Sequence, residues 1–375
     1  MTVTFPHLGP LHIAASQLLT YLDISYVISS SNGQQALNKG ALISPEDICL
    51  PFKYMVGNLA ESYDMGADTA IMMATNGPCR LGEYGELLKL VLEGNGYDYK
   101  WILIGSGTAT GVKDIFTIFR SLSSQEYLSS RKIIKGLVSA VKLINKIDRF
   151  REELQQRAGY LKDPFEAVKL WKKTDKNLAK AQSFDECFRI IKKAERELAS
   201  FEIDKNADPV KVLLVGEIYT TIETEANRHL EEKLMAMSCS VKRHIDISWW
   251  IRYSLMSIVV PEKLKRKIMP SGTIKNNVGG YGRETVGRVM RDRWSDGIIK
   301  IMPSGCMPEI VTKAFCQSME DHMDIRILHL IYDEMSGQAG YETRIEAFVD
   351  MLERRKHVLA GNRHRLHKHR PGDHG

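Results

Sequence analysis

No stretch of this 375-residue chain approaches the ~18 consecutive apolar residues that a membrane-spanning helix needs. The opening "MTVTFPHLGPLHIAAS" has neither the basic start nor the small-residue cleavage site of an export signal, so a cytoplasmic protein without a membrane partner is expected. Cysteine pairs of the CxxC type are missing, which argues against a structural zinc knuckle. There is no basic region interleaved with aromatics and no nucleic-acid-binding motif. The net charge of +6 sits largely in one helical stretch and the C-terminal tail, so nucleic acid is not an expected partner. A P-loop is missing too.

The chain is 43% hydrophobic and 26% charged, the balance of a soluble globular protein, and it is long enough for two domains. In a reducing compartment disulfides are rare, so the six cysteines are six candidate thiols.

Periodicity divides the chain. Over residues 1–120, β-branched apolar runs such as "ISYVISS", "TAIMMA" and "KWILIG" alternate with helical patterns such as "YMVGNLAESYDMG" and "GEYGELLKLVLEGNG". Residues 121–208 carry 3.6-period stripes with charged opposite faces and no strand, which reads as a helical insertion. The alternation resumes over 209–357 with "VKVLLVGEI", "CSVKRHIDI", "GIIKIMP" and "IRILHLIYD" as strands. Residues 358–375 read as a disordered basic, His-rich tail. The predicted architecture is α/β: two Rossmann- or flavodoxin-like lobes with mainly parallel sheets, joined through the helical insertion.

Three cysteines share a setting. Cys49 in "SPEDICLPFKYMVGNL" leads into a helix, whereas Cys79 in "TAIMMATNGPCRLGEYGEL" and Cys306 in "IIKIMPSGCMPEIVTKAF" each follow a strand and precede a helix. Each has a proline within two residues. Ligand sites of open α/β sheets gather at the carboxyl ends of strands, and helix N-termini there favour thiolates. Three preorganised thiolates converging from both lobes are therefore expected. A catalytic zinc and an iron–sulfur cluster both stay open on this reading. Cys187, Cys239 and Cys316 lack turn residues around them and read as buried structural thiols.

Two other segments bear on function. "WILIGSGTATGVKDIF" approximates a dinucleotide loop through Gly105, Gly107 and Gly111, but its last spacing is one residue too long, and a plain turn and helix start is favoured. In "DEMSGQAGYETRIEAF", Asp333 and Glu334 follow a strand, where they either cap a helix or hydrogen-bond within a site.

Together "TFPHLG", "CLPFKYMVGNLAESYDMGADTAIM", "GPCRLGEYGELLKLVLEGNGYDY", "VGEIYT", "VGGYGRETVG", "GCMPEIV" and "DEMSGQAGYETRIEAFVDML" resemble a known family. It comprises the acyl-CoA dehydratase activase-related proteins, or CoA protein activases, similar to the D-component of 2-hydroxyacyl-CoA dehydratases. The resemblance spans residues 4 to 352. It implies a 4Fe–4S cluster with Cys49, Cys79 and Cys306 as ligands and one iron position open. It also implies low-potential electron transfer driven by a separate ATP-hydrolysing activase, with an acyl-CoA or other small molecule as substrate and a homologous subunit or second copy as partner. Whether the chain is itself a reductase- or dehydratase-type component is left open. Arg80, beside Cys79, would counter the cluster's charge; Glu309, Asp333 and Glu334 are candidates for hydrogen bonds around it. The chain departs from the family pattern at Tyr281, Ser336 and Gln338. Two alternatives are kept beside this reading: a non-catalytic, metal-stabilised scaffold that docks a partner, and a nucleotide-binding α/β enzyme using the Gly105 loop.

Overall fold

The computed structural model describes residues 1–29, 33–74, 80–105, 112–125, 127–259, 274, 278–335 and 337–368. Two parallel sheets organise them. The first has the order β1 (Val3–Thr4), β2 (Thr69–Ala74), β3 (Lys100–Gly105). The second has the order β5 (Ser240–Arg243), β4 (Lys211–Gly216), β6 (Gly297–Pro303), β7 (Ile327–Tyr332). β6 is buried along its whole length and β4 along all but its first residue. That burial fits their near-continuous apolar sequences and helices on both faces.

The expected strand "ISYVISS" is reduced to one parallel bridge, Tyr26 to Val3, with the Val27 amide donating to the Val3 carbonyl at 2.9 Å. β1 is only two residues long before the chain turns through Pro6 and Gly9, so a neighbour has nothing further to pair with. The second expected strand of the second lobe is also shorter than "CSVKRHIDI" suggested, because a helix already begins at Ile247.

Counting the Tyr26 bridge as an edge, each sheet places its segments in the order second, first, third, fourth. The helices match as well. In the first lobe α1 (Leu11–Tyr21) follows β1, α2 (Gln34–Ile43) and α3 (Leu50–Asp64) precede β2, α4 (Tyr84–Gly94) follows it, and α5 (Val112–Leu122) follows β3. Between the lobes lie α6 (Ser130–Ala158), α7 (Pro164–Lys180) and α8 (Phe184–Ser200). In the second lobe α9 (Ile218–Ile222) and α10 (Leu230–Ala236) follow β4. There α11 (Ile247–Val259) and α12 (Gly282–Arg291) precede β6, α13 (Met307–Met323) follows it, and α14 (Gln338–Lys368) follows β7. The two lobes repeat one topology.

The intervening helices start where their sequences say they should. The side chains of Ser129, Asp163 and Ser183 accept from the amides of Lys132, Phe165 and Glu186 and so cap α6, α7 and α8. Their apolar stripes join β1, α1 and parts of the second lobe, among them Ile218, Ile222 and Ile247, in one buried cluster. Another cluster is continuous from Phe52, Tyr84 and Tyr99 of the first lobe to Leu214, Ile301 and Leu352 of the second. α14 runs on to Lys368, through residues 358–368 of the expected disordered tail; no proline interrupts the chain there before Pro371. Among the described residues no helix is long and apolar enough to cross a membrane.

Candidate thiol site between the lobes

Cys49 and Cys306 occupy matching local structures. Each is the extended N-cap of a helix, α3 and α13, and each is followed by proline at the second helical position, in Cys49-Leu50-Pro51 and Cys306-Met307-Pro308. Proline fits there because the first amides of a helix have no intrahelical acceptor. The approach to Cys306 is a tight turn in which the Cys306 amide donates to the Pro303 carbonyl at 3.2 Å. Gly305 sits at its third position with φ +73°, a conformation that suits glycine. Both cysteines are buried, at 9% and 6% exposure.

The fold brings these two distant positions together. Burial pushes the Cys306 thiol well above its ordinary range, the carboxylates of Glu217 and Glu309 add to this, and Cys49 contributes from across the lobe boundary. The Glu309 backbone amide opposes them by donating toward the Cys306 sulfur. Cys49 Sγ hydrogen-bonds the Tyr84 hydroxyl at the start of α4, and the Phe52 and Tyr84 rings meet edge to face at 5.0 Å.

The polar surroundings are ordered. Glu217 directly follows β4 and caps α9, accepting from the Tyr219 and Thr220 amides at 2.9 and 2.8 Å and from the Thr220 hydroxyl at 2.8 Å. Burial raises its carboxyl above the ordinary value despite those donors. The Glu309 carboxylate pairs with Lys300, and Thr312 Oγ1 donates to the same carboxylate at 2.9 Å. Lys300 and Glu309 are almost completely buried, at 0% and 2% side-chain exposure. Glu334 pairs with Lys53 on α3, and Asp333 accepts from the Met335 amide at 3.0 Å in a local turn.

Of the expected site residues, Cys49, Cys306 and Glu309 are therefore grouped, with the Glu309 carboxylate and its backbone amide acting on the Cys306 sulfur in opposite senses. Glu334 bridges to the helix that Cys49 caps. Asp333 accepts from the Met335 amide in a turn ahead of α14. Arg80 opens the 3₁₀ turn Arg80–Glu83 just ahead of α4. Cys79 lies outside the described residues, as do Gly107 and Gly111 of the glycine loop and Ser336. Among the described residues no group of three or more His, Cys, Asp or Glu side chains is arranged to hold a metal ion.

Tyr84, Glu217, Lys53 and Lys300 were not singled out from the sequence. A lysine inside the otherwise apolar "GIIKIMP" was a usable signal, because a charge in a strand buried on both faces needs a partner. Cys187, Cys239 and Cys316 are fully buried, as expected. Burial raises their thiols to about 11, about 12 and about 11.

The donor set suits a soft, thiolate-binding metal group. Two sulfurs sit at helix N-termini, whose partial positive charge favours the thiolate, and a backbone amide already points at one of them. Without a nearby cation, burial and two carboxylates hold the Cys306 thiol protonated; a bound cation reverses that balance. The class defined by fold and site is a two-lobed, internally repeated α/β protein with helix-capping cysteines at the lobe boundary. Compared with models of protein families the chain matches none, and no curated protein matches it.

Proposed function

We propose that the chain is an iron–sulfur protein in which Cys49, Cys79 and Cys306 hold a 4Fe–4S cluster at the lobe boundary, with one iron open. A separate ATP-hydrolysing partner would deliver low-potential electrons to it, and a small molecule such as an acyl-CoA would bind at the open corner. The observation that carries the reading is that Cys49 and Cys306 are matched Cys-x-Pro helix caps, one in each lobe, near enough for the charge of one to bear on the other. The motif resemblance over most of the chain supports it, and so does the place of Cys79 directly ahead of the Arg80–Glu83 turn.

In this reading the cluster supplies one-electron chemistry when bound. The protein's own groups do the rest. The Glu309 amide donates to one sulfur, a contact that tunes the potential of such a group, and the Tyr84 hydroxyl does the same for Cys49. Leu50, Phe52 and Tyr84, with side chains of the shared core, keep water from the Cys49 sulfur.

The test is anaerobic purification with iron and sulfide analysis and EPR. The expected result is a brown protein with about four irons and matching sulfide per chain, lost in Cys306→Ala and in Cys49→Ala. Stoichiometric zinc with no visible absorbance would sink the reading and favour a metal-stabilised scaffold.

A further inference from the structure

We infer that Arg228 and Tyr54 form an oxyanion site at the lobe boundary, built to take the carboxylate of a small organic acid. The site needs no metal at the thiols.

Arg228 lies in the turn over residues 224–229, between α9 and α10. It is half-buried, and its guanidinium sits over the Tyr341 ring, 5.0 Å from the centroid. Tyr341 stacks in turn on Tyr332, with centroids 4.5 Å apart and planes 7° from parallel. The Tyr332 hydroxyl donates to the Asn227 carbonyl at 3.2 Å. Asn227 itself donates to Glu231 and accepts from the Leu230 amide, both at 3.1 Å, so the residue before Arg228 is fixed. Arg228 and His229 both take left-handed backbone, with φ +57° and +58°. A guanidinium laid over a ring has its face satisfied and its N–H groups left for other partners.

Those N–H groups meet no carboxylate. Among the described residues no acid pairs with Arg228, because the acids around it are already engaged. Glu223 accepts from the Gly9 amide at 2.8 Å, Glu225 from the His229 ring at 3.2 Å, and Glu231 from Arg243 at 3.1 Å. Arg228 is left as the uncommitted charge of this neighbourhood.

Tyr54 supplies the second donor, from the other lobe. It belongs to α3, is 5% exposed, and its ring lies 6.3 Å from that of Tyr219. Among the described residues nothing accepts from its hydroxyl. Burial raises the phenol above its ordinary range, so the O–H remains a donor; the Arg228 charge opposes that rise, which puts the guanidinium within electrostatic reach. A buried hydroxyl without a protein partner calls for one from outside the chain.

The two donors select the ligand. One uncommitted positive charge balances one negative charge, and a guanidinium fork matches the two coplanar oxygens of a carboxylate. Phosphate, with a second charge and a third oxygen, asks for more than one guanidinium and one phenol.

The experiment is isothermal titration calorimetry on the full-length protein. Sodium butyrate is the probe, sodium phosphate the rival oxyanion, and sodium chloride the control for ionic strength. Arg228→Gly removes the guanidinium while relaxing the positive φ, and Tyr54→Phe removes one oxygen and keeps the ring; circular dichroism checks the fold of both. Butyrate is expected to bind wild type saturably, about tenfold more weakly in Arg228→Gly and about fivefold more weakly in Tyr54→Phe. Phosphate is expected to give no more heat than chloride. Butyrate binding unchanged in either variant would overturn the inference, as would phosphate binding more tightly than butyrate or wild type failing to bind butyrate. None of these outcomes bears on iron and sulfide content, so failure here is distinguishable from failure of the cluster reading.

Discussion

Lys53 of α3 and Glu334, just beyond β7, form an ion pair between side chains 281 residues apart in the chain. The lysine is 3% exposed and donates also to the Glu46 carbonyl at 3.2 Å, so it has one charged partner and one neutral one. This pair fixes the helix that Cys49 caps to the loop at the end of the second sheet. Glu334→Gln should lower unfolding stability by about 1–3 kcal/mol, since a buried ammonium loses its counter-charge. Urea denaturation measures it, and an unchanged midpoint would show that the pair contributes nothing net.

The Lys300–Glu309 pair is more deeply buried and gives a sharper test. Lys300→Met alone strands a carboxylate and should cost about 3–5 kcal/mol. The double variant Lys300→Met with Glu309→Leu removes both charges and should recover most of that loss, because an apolar replacement of a buried pair is often neutral. A double variant as unstable as the single one would count against this account.

His229 caps α10 with φ +58° and lies between Glu225 and Glu232, whose carboxylates accept from its ring and raise it from 6.5 to about 10. A raised histidine adds stability that is fully present below 6.5 and is lost as pH rises through about 10. The ring is partly exposed, so the contribution is small. The gap in melting temperature between wild type and His229→Ala should therefore be widest near pH 6 and close by about pH 10. A gap independent of pH would contradict it.

His12 behaves in the opposite sense. Burial, then the neighbouring His7 ring at 4.5 Å centroid distance and Arg151, lower it from 6.5 to about 3, against the Gly9 carbonyl that its Nδ1 meets at 2.6 Å. A histidine kept neutral in the fold costs stability as pH falls through 6.5 toward about 3, where the unfolded chain binds the proton and the folded one does not. His12→Asn should flatten the fall in urea midpoint between pH 7 and pH 5. A slope unchanged by the substitution would assign it to other groups.

The alternation of apolar runs with helical patterns made the parallel sheets legible, and the 3.6-period stripes of residues 121–208 announced a helical segment, whose three starts at Ser129, Asp163 and Ser183 are seen in the structure. Cys49 and Cys306 were legible for a related reason, since a cysteine two residues ahead of a proline at a helix start is a local signature. Their surroundings were not. Tyr84, Glu217 and Lys53 reach the site only because helices from separate parts of the chain converge on it, and no local pattern encodes a partner 281 residues away. The edge segment at Tyr26 failed for a different reason. Its composition suits a strand, but the strand it must pair with ends after two residues.

The apolar cluster that runs unbroken from Phe52 and Tyr84 to Ile301 and Leu352 has a mechanical consequence. Lobes that share one interior cannot swing apart like the jaws of a clamshell without exposing that interior to water. Traffic to the sulfurs is then a matter of the rim. Met307 and Ile310, on the first turns of the Cys306 helix, and Met335, just past β7, stand 49%, 52% and 86% exposed there. Small movements of such side chains, faster than any lobe rotation, are the ones open to this part of the surface.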